Sequence, residues 1–190
     1  MELWYLDLSF NSLNSSIPSE LRLCTNLAYL SLASNKFTGE LPMSLSNLNN
    51  LVQLVLAINL FTGQILLSLV SNWTNTVSLR LQSNSFSGTI TAEIGLLTQL
   101  QYLGLDSNEL NGEISTEVGN MYILSILNLS RNHLTEVIPR SLDYLSFLHD
   151  YDFSYSNLTG LIPAIFQTAT TNIFVGNAGL CGGGGCRRTK

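Results

Sequence analysis

Side chains equipped for chemistry are scarce in this sequence, and their spacing argues for recognition rather than catalysis. His133 and His149 are its two histidines. Neither has a serine or cysteine in an evident nucleophile context, and general acid–base catalysis needs titratable groups that converge. The glycine run at 182–185 follows a cysteine and opens no helix, so it is no phosphate-cradling loop. Cys181 and Cys186 lack the two further ligands that a zinc site requires. The expectation is therefore a chain without catalytic residues, metal or cofactor. Charged residues make up 11% of the chain and the net charge is −5. The basic cluster Arg187, Arg188 and Lys190 sits at the extreme C-terminus, and no basic stripe is present to neutralise phosphates, which excludes nucleic acid as a partner. What remains is a set of tyrosine, arginine, glutamine and aspartate side chains that share phases of a repeat. Tyr5, Tyr29, Gln53 and Tyr102 fall in one column, and Arg80 with Gln82 lies one repeat before Tyr102 and Asp106. Tyrosine and arginine are the usual anchors of protein interfaces. Tyr29, Gln53, Arg80, Gln82, Tyr102 and Asp106 are thus the candidate ligand-binding residues. An extended peptide laid across them would stack on Tyr29 and Tyr102 and place a carboxylate near Arg80.

The elements that position these residues follow from a second periodicity. Asn11, Asn35, Asn59, Asn84, Asn108 and Asn132 are separated by 24, 24, 25, 24 and 24 residues, and a further step of 24 lands on Ser156. Before each mark stand two apolar residues in alternation with polar ones, such as Leu30 and Leu32 or Leu103 and Leu105. Each pair points inward from a short strand, leaving the intervening side chains outward. After each mark comes another apolar residue, the series Leu13, Phe37, Phe61, Phe86, Leu110, Leu134 and Leu158. The asparagine turns the chain out of the strand, and its buried amide satisfies backbone groups that a tight coil leaves unpaired. One unit cannot bury its own apolar face, so neighbours must stack. The reading is an α/β repeat solenoid, a leucine-rich-repeat horseshoe with a parallel β-sheet on the concave face and about seven repeats of 24 residues. Serine at 156 makes fewer bonds than asparagine, which predicts a weaker last turn.

Gly39, Gly63, Gly88, Gly112 and Gly160 stand four places after the turn mark, and Ile17-Pro18, Leu41-Pro42, Ile138-Pro139 and Ile162-Pro163 complete a motif LxxLxLxxNxLxGxIP. With the phrases DFSYSNLTGLIP and FVGNAGLCG near the C-terminus, the chain resembles the C-terminal part of a plant leucine-rich-repeat receptor-like kinase ectodomain. The resemblance implies recognition of a secreted peptide or protein on the concave face, pairing with a co-receptor leucine-rich-repeat kinase, and signalling in development or defence from the outer side of the plasma membrane. It also implies a cap disulfide between Cys181 and Cys186, formed in an oxidising compartment. A stand-alone secreted binder in the apoplast, similar to the polygalacturonase-inhibitor proteins that use the same coil, is the alternative. The expected division is residues 1–172 for seven repeats without an N-terminal cap and 173–190 for the C-terminal cap and tail. With neither signal peptide nor kinase in view, a truncated product or a fragment of a longer receptor is expected, self-associating through the apolar edge of its first coil. Proline is replaced in the motif by Leu66, Thr91 and Ser115, and glycine by Ser15 and Glu136. The apolar window from Leu54 to Val70 is broken by Asn59, Gly63 and Gln64, so it reads as repeat core and not as a membrane span. Four sequons, at Asn14, Asn72, Asn128 and Asn157, are candidate glycosylation sites. Asn128 is the one on a concave strand.

Overall fold

Three alternating residues can form a strand but cannot cover it, so each coil contributes one short strand that its neighbours complete. The computed structural model describes residues 2–182. Seven strands, Tyr5–Asp7, Tyr29–Ser31, Gln53–Val55, Ser78–Arg80, Tyr102–Gly104, Ile126–Asn128 and Asp150–Asp152, form one parallel sheet in chain order. The register is that of the repeat, pairing Tyr5 with Tyr29, Tyr29 with Gln53, Gln53 with Ser78 and Ser78 with Tyr102. The inward leucines Leu30, Leu54, Leu79, Leu103 and Leu127 are completely buried. Beneath them Phe37, Phe61 and Phe86 stack with ring centroids 6.0 and 6.1 Å apart. In the first coil Trp4, Phe10 and Leu13 are exposed instead.

The asparagines do what their spacing predicts. Asn108 Oδ1 accepts the Phe86 amide proton at 3.0 Å, while Nδ2 donates to the carbonyls of Leu81 at 3.1 Å and Leu105 at 3.0 Å. Asn35, Asn59, Asn84 and Asn132 repeat this bridge between adjacent coils. At Ser156 the bridge fails, and its buried Oγ has no hydrogen-bond partner. The ladder then resumes at Asn177, which accepts from the Leu158 amide at 2.9 Å and donates to the Phe153 carbonyl at 2.8 Å.

A second parallel sheet follows the turns and was not foreseen from the apolar pattern. Its six strands are Asn14–Ser15, Lys36–Gly39, Leu60–Gln64, Ser85–Thr89, Glu109–Gly112 and His133–Leu134. His133 therefore lies on a strand. At the glycine place of the motif the backbone takes positive φ, +79° at Gly39 and +78° at Gly63. Ser15 and Glu136 adopt the same conformation, at 76° and 62°, against the preference of a residue with a Cβ.

The convex return is mostly 3-10 helix, as in Ser19–Leu23, Met43–Asn47 and Thr116–Asn120, with one α-helical turn at Leu67–Val70. That turn falls in the 25-residue coil and takes up its extra residue; fully buried Trp73 follows it, and its Nε1 donates to the Leu45 carbonyl at 3.2 Å. Leu66, Thr91 and Ser115 stand in for proline at φ of −70°, −70° and −57°, so the backbone keeps a proline-like entry without the ring. The Leu54–Val70 window divides into strand, turn, strand and helical turn. Among the described residues no helix is long and apolar enough to cross a membrane.

Candidate functional site

The concave sheet carries the candidate residues because strand alternation turns every second side chain away from the core. Arg80 and Tyr102 occupy neighbouring strands, and the guanidinium carbon of Arg80 lies 3.9 Å from the centre of the Tyr102 ring. That geometry is a cation–π contact, which leaves the remaining guanidinium N–H groups available. Arg80 Nε donates to Ser78 Oγ at 3.3 Å, fixing the arginine from the other side. Gln82 leans over Gly104, and its Oε1 is buried without a hydrogen-bond partner. Asp106 is half-buried, and desolvation holds its carboxyl above the usual carboxylate range; the negative charge of Asp152 adds to this, while a backbone hydrogen bond and Arg131 oppose it.

Four of the six candidates thus gather on two adjacent strands and the turns that follow them. Arg80, Gln82 and Tyr102 surround Gly104, with Asp106 two residues further along. Tyr29 stands apart from them and stacks on Tyr5, with centroids 4.3 Å apart and planes 8° from parallel. Two strands separate Tyr29 from Tyr102 in the sheet order. At about 4.8 Å per step, a ligand touching both spans roughly 14 Å across the strands. Gln53 lies exposed between the two groups.

A second cation–π pair was missed by the sequence reading, although its members stand at one phase, 24 residues apart. The Arg131 guanidinium carbon lies 4.5 Å from the Tyr155 ring centre. Three other concave side chains are held by their own turns. Asp7, Asn128 and Asp152 each accept the amide proton of the residue two places on, at 2.9, 3.1 and 2.8 Å. Asn128 also accepts from the Ser130 hydroxyl at 2.8 Å, which engages the carboxamide oxygen of that sequon. Asn14, Asn72 and Asn157 are exposed. Cys181 lies on the strand Gly179–Cys181, paired with Thr159–Leu161. Cys186 and the basic residues Arg187, Arg188 and Lys190 lie outside the described residues, and with them the expected disulfide. Among the described residues no group of three or more His, Cys, Asp and Glu is placed to hold a metal ion.

Comparison with known proteins agrees with this architecture. The sequence profile of the Leucine Rich Repeat family matches residues 2–24, 26–48 and 124–145. No curated protein sequence matches the chain. Among solved structures, the chain is similar to the plant peptide hormone receptor RGFR1 in complex with RGF2, at 36% identity and a TM-score of 0.83, over 94% of this chain and 27% of the receptor. It is similar to a TDR receptor at 35% identity and a TM-score of 0.84, over 94% of this chain and 30% of that one. The Arabidopsis receptor kinase HAESA, solved with the peptide hormone IDA and the co-receptor SERK1, is 30% identical with a TM-score of 0.57, over 97% of this chain and 39% of that one. The chain spans between about a quarter and two fifths of the length of these structures.

Proposed function

We propose that this chain, a leucine-rich-repeat solenoid of the plant receptor-kinase ectodomain type, is part of a module that recognises a secreted peptide on its concave face. The observation that carries the reading is the Arg80–Tyr102 pair at the middle of the seven-stranded sheet, oriented by Ser78 and flanked by Gln82 and Asp106. An arginine that is stacked and tethered has already lost most of its rotamer freedom, so engaging a carboxylate orders little more. The likeness to receptors solved with RGF2 and with IDA supports a peptide as the ligand class. By the same likeness, the module works on the extracellular side of the plasma membrane, pairs with a co-receptor kinase, and binds without performing catalysis.

Surface plasmon resonance tests the reading directly. Synthetic secreted peptides, RGF2 and IDA among them, are passed over the immobilised chain with free and with amidated C-termini. At least one peptide is retained, amidation weakens it, and Arg80→Ala weakens the free-acid form alone. Equal affinity of Arg80→Ala for the free acid removes that residue from the site. Retention of none of the peptides refutes the reading.

A further inference from the structure

We propose that Gly104 marks the point where the main chain of a peptide ligand comes closest to the sheet, and that Gln82 accepts an N–H from the ligand there. This deepens the concave-face reading and rests on it. Three observations converge on the position. The outward column that contains Gly104 holds Ser31, Val55, Arg80 and Asn128 on other strands, with Arg80 and Asn128 as its paired neighbours. The sheet is therefore lowest at Gly104, between the side chains of Arg80 and Asn128. Glycine inside a strand weakens it, and its recurrent use is to let another backbone approach.

The second observation is what fills the notch. A Cβ at position 104 would stand 2.9 Å from Gln82 Oε1 and 2.9 Å from a ring carbon of Tyr102. Both neighbours lean into the space that a side chain would take. Gln82 does so at a cost, because its Oε1 is buried there with no donor. A buried acceptor left unpaired is destabilising, and such groups in folded proteins ask for a partner that arrives from outside. The third observation is the wall. Arg80 packs on the Tyr102 ring at 3.9 Å, so the aromatic side of the notch is braced while the glutamine side is free to turn on flexible torsions.

These features select a ligand main chain in preference to a ligand side chain. The notch is one residue deep, floored by backbone, and equipped with a single acceptor. A peptide amide entering it displaces the Gln82 carboxamide from above Gly104 and donates its N–H to Oε1. Tyr102 and Arg80 then flank the ligand, the arginine holding any neighbouring carboxylate.

The probe is a linear peptide selected from a random phage-displayed library on the whole chain and then synthesised. Its affinity is measured by calorimetry for the unaltered chain and for Gly104→Ala, Gln82→Leu, Gln82→Glu and Arg80→Ala, with melting curves confirming that each variant folds. Each backbone amide of the peptide is also N-methylated in turn. Gly104→Ala and Gln82→Leu should each weaken binding about tenfold or more, the usual consequence of blocking or unpairing one buried polar contact. Gln82→Glu should retain binding, since a carboxylate still accepts. One N-methylated position should lose affinity, and that loss should vanish in the Gln82→Leu background. If Gly104→Ala and Gln82→Leu bind as the unaltered chain does while Arg80→Ala weakens, the subsite is overturned and the concave reading stands. If Gln82→Glu loses as much as Gln82→Leu, the ligand accepts and does not donate, and the assignment is wrong. If no peptide is selected, or all four variants bind equally, the concave reading fails and the subsite with it.

Discussion

Replacing Ser156 with asparagine should stabilise the solenoid, and the size of the gain follows from the coils on either side. Asn108 shows what the position normally contributes. It accepts one amide proton from the preceding coil, and its two Nδ2 protons serve the carbonyls of Leu81, Leu105 and Asp106 at 3.1, 3.0 and 3.3 Å. That is about three effective bonds, each contributing roughly 0.5–1.5 kcal/mol net. Ser156 makes none of them with its buried Oγ. The Leu129 carbonyl at the vacant rung accepts from Asn132 alone, whereas the Leu105 carbonyl accepts from both Asn108 and Asn132, so a second donor can be taken there. A gain of about 2 kcal/mol is expected, which for a chain of this size raises Tm by roughly 4–8 °C. The equivalent amide proton is that of Leu134, because the accepted N–H lies 22 residues before the asparagine, as Phe86 does before Asn108. Slower hydrogen exchange at Leu134 is therefore the local signature, independent of whether the solenoid melts as one unit. Asn108→Ser is the control and should lower Tm. If Ser156→Asn changes neither Tm nor the exchange of Leu134 while Asn108→Ser destabilises, the gap at 156 is not a missing rung and the reasoning fails.

Four further outcomes follow from the same structure. Glu136→Gly should stabilise by about 1 kcal/mol, because Glu136 holds a φ of 62° where five other coils place glycine; an unchanged urea midpoint would show that this backbone carries no strain. Gly119→Ala should destabilise by about 1–3 kcal/mol in the same assay, since its Cβ would stand 2.6 Å from the Ser141 carbonyl oxygen of the next coil, and a neutral result would mean that the coils slide freely. Asp106→Asn should raise Tm at neutral pH. The native Asp106 carboxyl titrates above its ordinary value, so the folded state binds the proton more tightly and stability falls as pH rises through the interval just above the ordinary carboxylate range; the asparagine variant should lose that slope, and an identical pH profile would count against the desolvation argument. Glycan release and mass analysis of the chain made in a plant secretory system should show occupied Asn14, Asn72 and Asn157, all three exposed; no mass shift at any of them would refute the expectation.

How much of this was legible without coordinates depends on whether sequence period or side-chain conformation decides the feature. Strand placement and register were legible, since one 24-residue interval fixes both the inward leucines and the pairing of Tyr5 with Tyr29. The asparagine bridges followed from the same count. Asn177 did not, because it stands 21 residues after Ser156 and so falls outside the interval, although it performs the same task. The second sheet escaped because strands such as Ser85–Thr89 offer serine, glycine and threonine around a single buried phenylalanine, a weak alternation. In the candidate site, the columns were readable and the contacts were not. Spacing put Arg80, Gln82 and Tyr102 on one face, but rotamers decide that Arg80 rests on the Tyr102 ring and that Gln82 turns over Gly104. The most informative position of the face is thus one that carries no side chain. A search for functional groups passes over Gly104, while the packing around it shows that two neighbours compete to fill the space and that one of them leaves an acceptor unpaired in doing so. Repetition of the coil supplies a level floor against which a missing side chain is as specific a mark as a present one.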